Sequence, residues 1–539
     1  METAEADRSS RKWWALVAIA ASVLVVGLDL TVLNLALPTI ATDLHASASD
    51  LQWVSDAYSL VLAAAMLPAG LLGDRLGRKK VLLVALVLFG ASSAACAYAA
   101  STGELIAARA VLGIGASAIF PLSLSVIPVL FGPEERQKAI ALMASATFIS
   151  FPIGPIVGGY LLDHFWWGSV FLINVPVVAL AVVAVVFLLP ESRSQQRPSV
   201  DVVGVVLSSA GLAGLTYGFI KADENGWSDA AALATIVAGI AVLVGFVAWE
   251  RWLTGREQPG TGRVRPLIQL SLFRSAAFTW GTLLATLVSF AMFGIFFAMP
   301  QYFQEVQGAN AMGSGLRLLP LIGGLVVGMI SSTRLATARK DGSGRARAPL
   351  AGVKSLVAVG FTIMTAALVV GAMTKTASGT GFAAGWLATF GLGLGLAMPQ
   401  TMNAALSALS AERSGSGSAV ISALRQVGAT IGVAVLGTIL GSVYRTHLSL
   451  AGLPASAAAA AKSSVVGGVG VAHALGSAAL LDEVRTAFVH GLDTMMWVCG
   501  GIAIGCAILA LIFLPRRADG AVPGAEPGEI GADREHLEV

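Results

Sequence analysis

The chain has 539 residues, 56% of them hydrophobic and only 12% charged, with a formal net charge of +3 and a mean hydropathy of +0.79. Soluble domains are about a quarter charged, so this composition excludes a water-soluble globular protein: lipid must be the solvent for much of the apolar surface. The small net charge argues against nucleic acid as a partner. Cys96, Cys499 and Cys506 all lie in apolar runs, which argues against a disulfide framework.

A helix needs roughly 20 apolar residues to cross about 30 Å of hydrocarbon. Windows of that kind begin near Trp13, Leu51, Val81, Glu104, Lys138, Val170, Val202, Ala230, Ser275, Gly313, Val353, Ala383, Gly417 and Phe488, about fourteen in all. The first follows Arg8, Arg11 and Lys12 as a signal peptide would. It continues to Pro38, too long for a cleaved segment, and is expected to be a retained span. The polar stretches Glu191–Asp201 and Leu253–Arg274 set two central spans apart, with six before them and six after. The expected organisation is a terminus at 1–12, a six-helix bundle at 13–190, a linker with two extra spans at 191–274, a second six-helix bundle at 275–514 and a polar tail at 515–539. An Ala-, Gly- and Ser-rich outer loop at 448–487 is expected to hold short helices on the membrane surface.

An even count puts both termini on one side. With that side cytoplasmic, the inner segments hold most of the 34 Lys and Arg, among them Arg75, Arg78, Lys79, Lys80, Arg136, Arg193, Arg197, Arg256, Arg263, Arg265, Arg339, Lys340, Arg345, Arg347, Arg516 and Arg517. The outer loops keep Lys221, Lys375, Arg445, Lys462 and Arg485. This asymmetry predicts the orientation.

In the first span Asp29 lies about nine residues, roughly 13 Å, from Pro38. An acid in mid-membrane costs roughly 2.5–3.5 kcal/mol on insertion scales and marks function by default; contact with water at the outer interface is the plainer alternative. Asp56, between Trp53 and Tyr58 near the outer end of the second span, reads as readily as an interfacial residue. The second and third spans are joined by Gly70-Leu71-Leu72-Gly73-Asp74-Arg75-Leu76-Gly77-Arg78-Lys79-Lys80. Its glycines permit a tight turn, and Asp74 can face helix N-termini or basic partners. In the fourth span Arg109, followed by Gly113 and Gly115, is a buried cation that needs a partner. The fifth carries Gly154, Pro155, Gly158 and Gly159: the first and third lie one turn apart and allow close backbone approach, and Pro155 removes a backbone donor. Arg317 and Arg425 are the other arginines within spans, as readily structural as substrate contacts.

The Gly70–Lys80 string resembles motif A of the major facilitator superfamily. Arg109 with Gly113 and Gly115 is similar to motif B, Gly154–Gly159 to the antiporter motif C, and Leu28–Pro38 and Phe171–Pro176 to signatures of the fourteen-span drug:proton antiporters, close to their quaternary-ammonium exporters. The resemblance runs from Trp13 to about Arg517. It departs at Leu112, where motif B usually has Gln, at Ser150, which replaces the first Gly of motif C, and in the thirteenth span, whose apolar part holds no acid.

The resemblance implies an all-α membrane protein of the major facilitator fold, with two six-helix bundles around a central cavity plus two central helices, working by alternating access. It implies that Asp29 and Arg109 lie near the proton pathway. Burial favours a neutral carboxyl and a guanidinium favours a charged one, so breaking and remaking an Asp29–Arg109 pair is the expected coupling step, with Asp56 as a further candidate. Gly70, Gly73, Asp74, Arg75, Gly77 and Arg78 are expected to govern the conformational switch. Asp29 and Asp56 suit lipophilic cations, with Trp53, Tyr58, Phe120, Phe148, Phe293 and Trp386 as candidate wall residues; for any one of these aromatics, lipid contact or core packing is the plainer alternative.

The expected function is proton-driven efflux of amphipathic, mostly cationic compounds by a monomer in the cell membrane. The alternatives are a narrow exporter of one antibiotic or metabolite, and a non-transporting receptor or scaffold. An enzyme is the least expected class. No P-loop is present to support ATP-driven pumping, the histidines show no metal spacing, and no cofactor is expected.

Overall fold

The computed structural model describes residues 2–46, 48–192, 201–225, 228–254, 266–268, 270–336, 339–340, 346–347, 352–409, 414–450 and 452–515. The middles of both connectors, with Arg193, Arg197, Arg256, Arg263 and Arg265, lie outside these residues, as do Arg345 and 516–539 with Arg516 and Arg517.

The described chain is almost wholly helical, as a lipid-solvated backbone requires: without water, each N–H and C=O must be paired within its own segment. The first half comprises α1 (Glu2–Asp43), α2 (Ala48–Leu76), α3 (Arg78–Ala97), α4 (Thr102–Leu130), α5 (Pro133–His164) and the broken pair α6 (Ser169–Leu172) and α7 (Asn174–Leu188). The two central helices are α8 (Val202–Asn225) and α9 (Ala230–Thr254). The second half comprises α10 (Ala276–Gln301), α11 (Ala311–Arg317) and α12 (Leu319–Ala336), α13 (Val353–Gly371), α14 (Thr380–Ser407), α15 (Ser414–His447) and α18 (Ala478–Phe513). A two-residue antiparallel ladder, Arg339–Lys340 with Ala346–Arg347, sits in the loop before α13. Among the described residues, 13 helices are long and apolar enough to cross a membrane. The remaining span is α5, 32 residues long, whose described apolar stretch is Lys138–Thr147.

In the first half α1 packs on α5 and α7, and α4 on α2 and α3; in the second α14 packs on α12 and α13, and α15 on α10 and α18. The halves meet where α15 lies against α2 and α4, and where α5 lies against α11, α12 and α14. The α8–α9 pair stands beside that seam, with α8 touching both α2 and α15. Its own packing is close: a Cβ on Gly239 of α9 would sit 2.6 Å from Leu215 N of α8.

The outer segment folds into α16 (Ala455–Ser463) and α17 (Val465–Ala474), tied to α15 where Tyr444 Oη donates to Ala461 O at 2.8 Å. The last helix begins at Ala478, capped by Ser477, ten residues before the apolar window. Asp482, Glu483 and Arg485 make this first stretch polar, so hydropathy alone places the start too late.

Candidate functional site

Asp29 of α1 and Arg109 of α4 are 3% and 1% exposed. Arg109 Nη1 donates to Asp29 Oδ2 in a buried ion pair. Arg109 Nε donates to Val54 O of α2 at 3.0 Å, so one side chain ties three helices together. The Tyr58 ring lies 4.5 Å from the guanidinium carbon and the Phe171 ring 6.0 Å. Asn174 stands near the carboxylate and donates to Ser93 Oγ at 3.0 Å. Among the described residues, Asp29 Oδ1 and the Tyr58 hydroxyl are buried without a hydrogen-bond partner.

Small residues bring α5 against this turn of α1. A Cβ on Gly154 would collide with Thr31 Oγ1, and one on Gly158 would meet Val32 Cγ1 at 2.8 Å. Thr31 Oγ1 donates to Leu28 O at 3.0 Å, which satisfies the hydroxyl within its own helix. Ser150 fits because Gly27 faces it: a Cβ at Gly27 would collide with Ser150 Oγ, which donates to Thr147 O at 2.6 Å. Gly159 lies on the other side of α5, where a Cβ would be 3.8 Å from Met312 N of α11. The stretch from Gly154 to Gly159 thus touches both the Asp29 turn and the second half of the molecule.

A second cluster surrounds Asp74, which is 3% exposed. Arg78 Nη2 donates to its Oδ1 at 2.7 Å. Ser416 N, in the first turn of α15, donates to its Oδ2 at 2.7 Å. A helix N-terminus carries partial positive charge, so Asp74 bridges the two halves as a charge-assisted acceptor. Ser414 Oγ and Ser418 Oγ add bonds to Ser125 O at 3.0 Å and Pro121 O at 2.9 Å on α4. Gly77, at φ 112°, makes the left-handed turn between α2 and α3 that a side chain would strain. Arg78 N then donates to Ser192 O at 2.9 Å. Gly73 leaves no room for a Cβ against Leu122 of α4, Gly70 is buried and Arg75 is half-buried.

A cavity lies between the halves. The first half lines it with Val23 of α1, Phe120 and Leu124 of α4, and Ile140, Met143 and Thr147 of α5. The second contributes Met398 and Met402 of α14 and Arg425 of α15.

The expected wall of aromatics is dispersed. Phe120 lines this cavity. Tyr58 lies under Arg109. Trp53 is exposed and stacks on Tyr217 of α8 at 6.1 Å. Trp386 is buried beside Gly371 of α13, and Phe293 packs half-buried on the core. The Phe148 side chain lies outside the described residues. Asp56 is half-buried, two residues from Tyr58 and so nearly opposite it around α2.

Three acids were missed by sequence reasoning. Asp493 of α18 has Oδ1 buried without a partner among the described residues; its place in the last apolar window was the available signal. Asp201 and Glu250, 2% and 0% exposed, lie beside the start of α8 and near the end of α9; the first reads as the end of a connector and the second was not singled out. Asp201 accepts from Trp249 Nε1 at 3.0 Å, and Glu250 accepts from Leu267 N at 3.2 Å and Ile268 N at 3.0 Å.

Known proteins place this arrangement. The chain is 34% identical over 530 residues to the tetracenomycin C resistance and export protein of Streptomyces glaucescens, covering 96% of this chain and 94% of that one. It is 35% identical over 503 residues to the multidrug efflux pump LfrA of Mycolicibacterium smegmatis, covering 92% and 95%. It is 31% identical over 510 residues to the methyl viologen resistance protein SmvA of Salmonella typhimurium, covering 92% and 97%. In fold it is similar to the proton:xylose symporter XylE, with a TM-score of 0.61 at 14% identity, covering 95% of this chain and 98% of that one. A family profile described as Major Facilitator Superfamily matches residues 19–433. The chain is a multi-pass membrane protein that belongs to the major facilitator superfamily, among its drug and antibiotic resistance exporters.

Proposed function

We propose that this protein exports amphipathic compounds in exchange for protons, by alternating access, with both termini and the 74–80 loop in the cytoplasm of a cell whose plasma membrane it spans. The observation that carries the reading is the buried Asp29–Arg109 pair. Removing one partner of such a pair costs about 3–5 kcal/mol, so a proton arriving on Asp29 frees Arg109 and strains the joint between α1, α2 and α4. Substrate and proton must bias the same two-state element for one to drive the other, and this joint is the candidate. The Asp74 lock between α2 and α15 is the contact that has to open when the cavity turns to the cytoplasm. No bound cofactor is needed in this scheme, since the proton gradient supplies the energy, and one chain is sufficient.

The expected preference for cations rests on Asp29 and Asp56, yet no carboxylate is among the residues lining the cavity, and the charged one there is Arg425. That observation favours a second reading, export of a single antibiotic, in line with the relative that exports tetracenomycin C. Transport by purified protein in liposomes under an imposed pH gradient tests the proposal. Accumulation of an amphipathic dye that a protonophore abolishes supports it; accumulation indifferent to the protonophore refutes proton coupling.

A further inference from the structure

Half-buried Arg425 stands in the wall of a largely apolar cavity, and the way it is held differs from that of the buried Arg78 and Arg109. Arg78 and Arg109 each pair with an aspartate. Arg425 takes part in none of the ion pairs among the described residues. Its Nε donates to Ser289 Oγ of α10 at 3.2 Å, and no other hydrogen bond to it is found among them. A guanidinium has five N–H donors in a planar fork that matches an oxyanion. Keeping it in a largely apolar cavity without an anion is costly unless something completes it.

Around it the cavity is soft and apolar. Met143 of α5, Met398 and Met402 of α14, and Phe120 of α4 line it, and methionine adapts to flat, irregular ligands. Asp29 is not in the lining and is occupied by Arg109, so a cation entering here finds the wrong sign of charge.

We infer that this cavity binds amphipathic aromatic compounds bearing an acidic oxygen, a carboxylate, phenolate or enolate, with Arg425 gripping that oxygen while the methionines and Phe120 hold the ring system. This deepens the export reading and rests on it for the direction of transport, but the binding itself does not depend on a gradient.

The test uses two probes with one skeleton, 1-pyrenebutyrate and its methyl ester, titrated calorimetrically into the purified full-length protein without any pH gradient. Wild type is expected to bind the carboxylate about tenfold or more tightly than the ester, the range of a charged hydrogen bond. In Arg425→Met the ratio is expected to fall to about one, and Arg425→Lys is expected to keep part of it because the charge remains but the fork is lost. Equal wild-type affinities for the two probes overturn the inference whatever the variants do. A carboxylate preference that persists in Arg425→Met overturns it as well. Gradient-driven uptake of the carboxylate is measured separately in liposomes. Selective binding without uptake leaves the subsite standing and removes the export reading.

Discussion

Asp29 and Arg109 are buried, paired and placed at the meeting of three helices, which makes their energetics mutually dependent. Arg109→Leu leaves an uncompensated carboxylate in the membrane interior, and Asp29→Asn leaves an uncompensated guanidinium over Tyr58. Each single change is expected to lower the thermal stability of the purified protein, by up to about 3–5 kcal/mol if the orphaned charge stays charged. The double variant is expected to lose less than the sum of the two. A strictly additive double-mutant cycle would show that the pair carries no coupling. Asp29 was legible in the sequence because an acid inside an apolar run has no other cheap explanation. Its tie to Arg109 was legible as a need for a partner. Arg425 was legible only as an arginine within a span, because what it faces is assembled from four other helices. Trp386 and Trp53 misled for a related reason: an aromatic within a span looks the same whether it packs in the core, stacks on a neighbouring helix or lines a cavity.

Among elements, the fit of α5 against α1 is set by glycines that face Thr31 and Val32. Gly154→Leu is expected to push α5 away from the Asp29 turn and abolish transport, whereas Ser150→Gly, which removes a hydroxyl already accommodated by Gly27, is expected to retain it. Transport at the wild-type rate by a well-expressed Gly154→Leu protein would contradict this packing. The lock between α2 and α15 calls for a different readout. Asp74→Ala removes an acceptor from both Arg78 and the α15 N-terminus, on the side of the seam away from the Asp29 pair. Transport is expected to slow about tenfold or more, given the 1.5–3 kcal/mol range of hydrogen bonds to charged groups, while substrate affinity stays close to that of wild type. Equal loss of binding and transport would point instead to misfolding. The spans themselves were legible because lipid forces an apolar run to be a helix. The outer segment was legible as a loop holding short helices, which are α16 and α17, whereas the first, polar turns of α18 read as part of that loop, since Asp482, Glu483 and Arg485 interrupt the apolar run.

For the whole molecule, the charge asymmetry of the loops predicts the orientation, and the packing offers a clean way to test it. Cys96, Cys499 and Cys506 are all buried, so single cysteines introduced elsewhere should label over a low background. Positions 101, 103 and 165–166 are expected to react with a membrane-impermeant reagent from outside, and position 80 only after permeabilisation. Labelling of position 80 in intact cells would invert the topology and with it the direction assigned to transport. The two-bundle architecture could be read from the spacing of spans and connectors, but the placement of α8 against both α2 and α15 could not, since it depends on shape at a seam formed by distant segments.

The central claim is that Asp29 is the carboxyl through which the proton gradient drives export, and Asp29→Asn tests it while keeping the side chain's shape. Wild-type and variant protein are reconstituted at equal density in liposomes, and dye accumulation is followed after a pH jump, with dye exchange at zero gradient as the control for a functioning carrier. The account predicts that the Asp29→Asn variant still exchanges dye across the membrane but no longer concentrates it when the gradient is imposed. Concentration of the dye by the variant to the wild-type level would contradict the account and remove Asp29 from the coupling step.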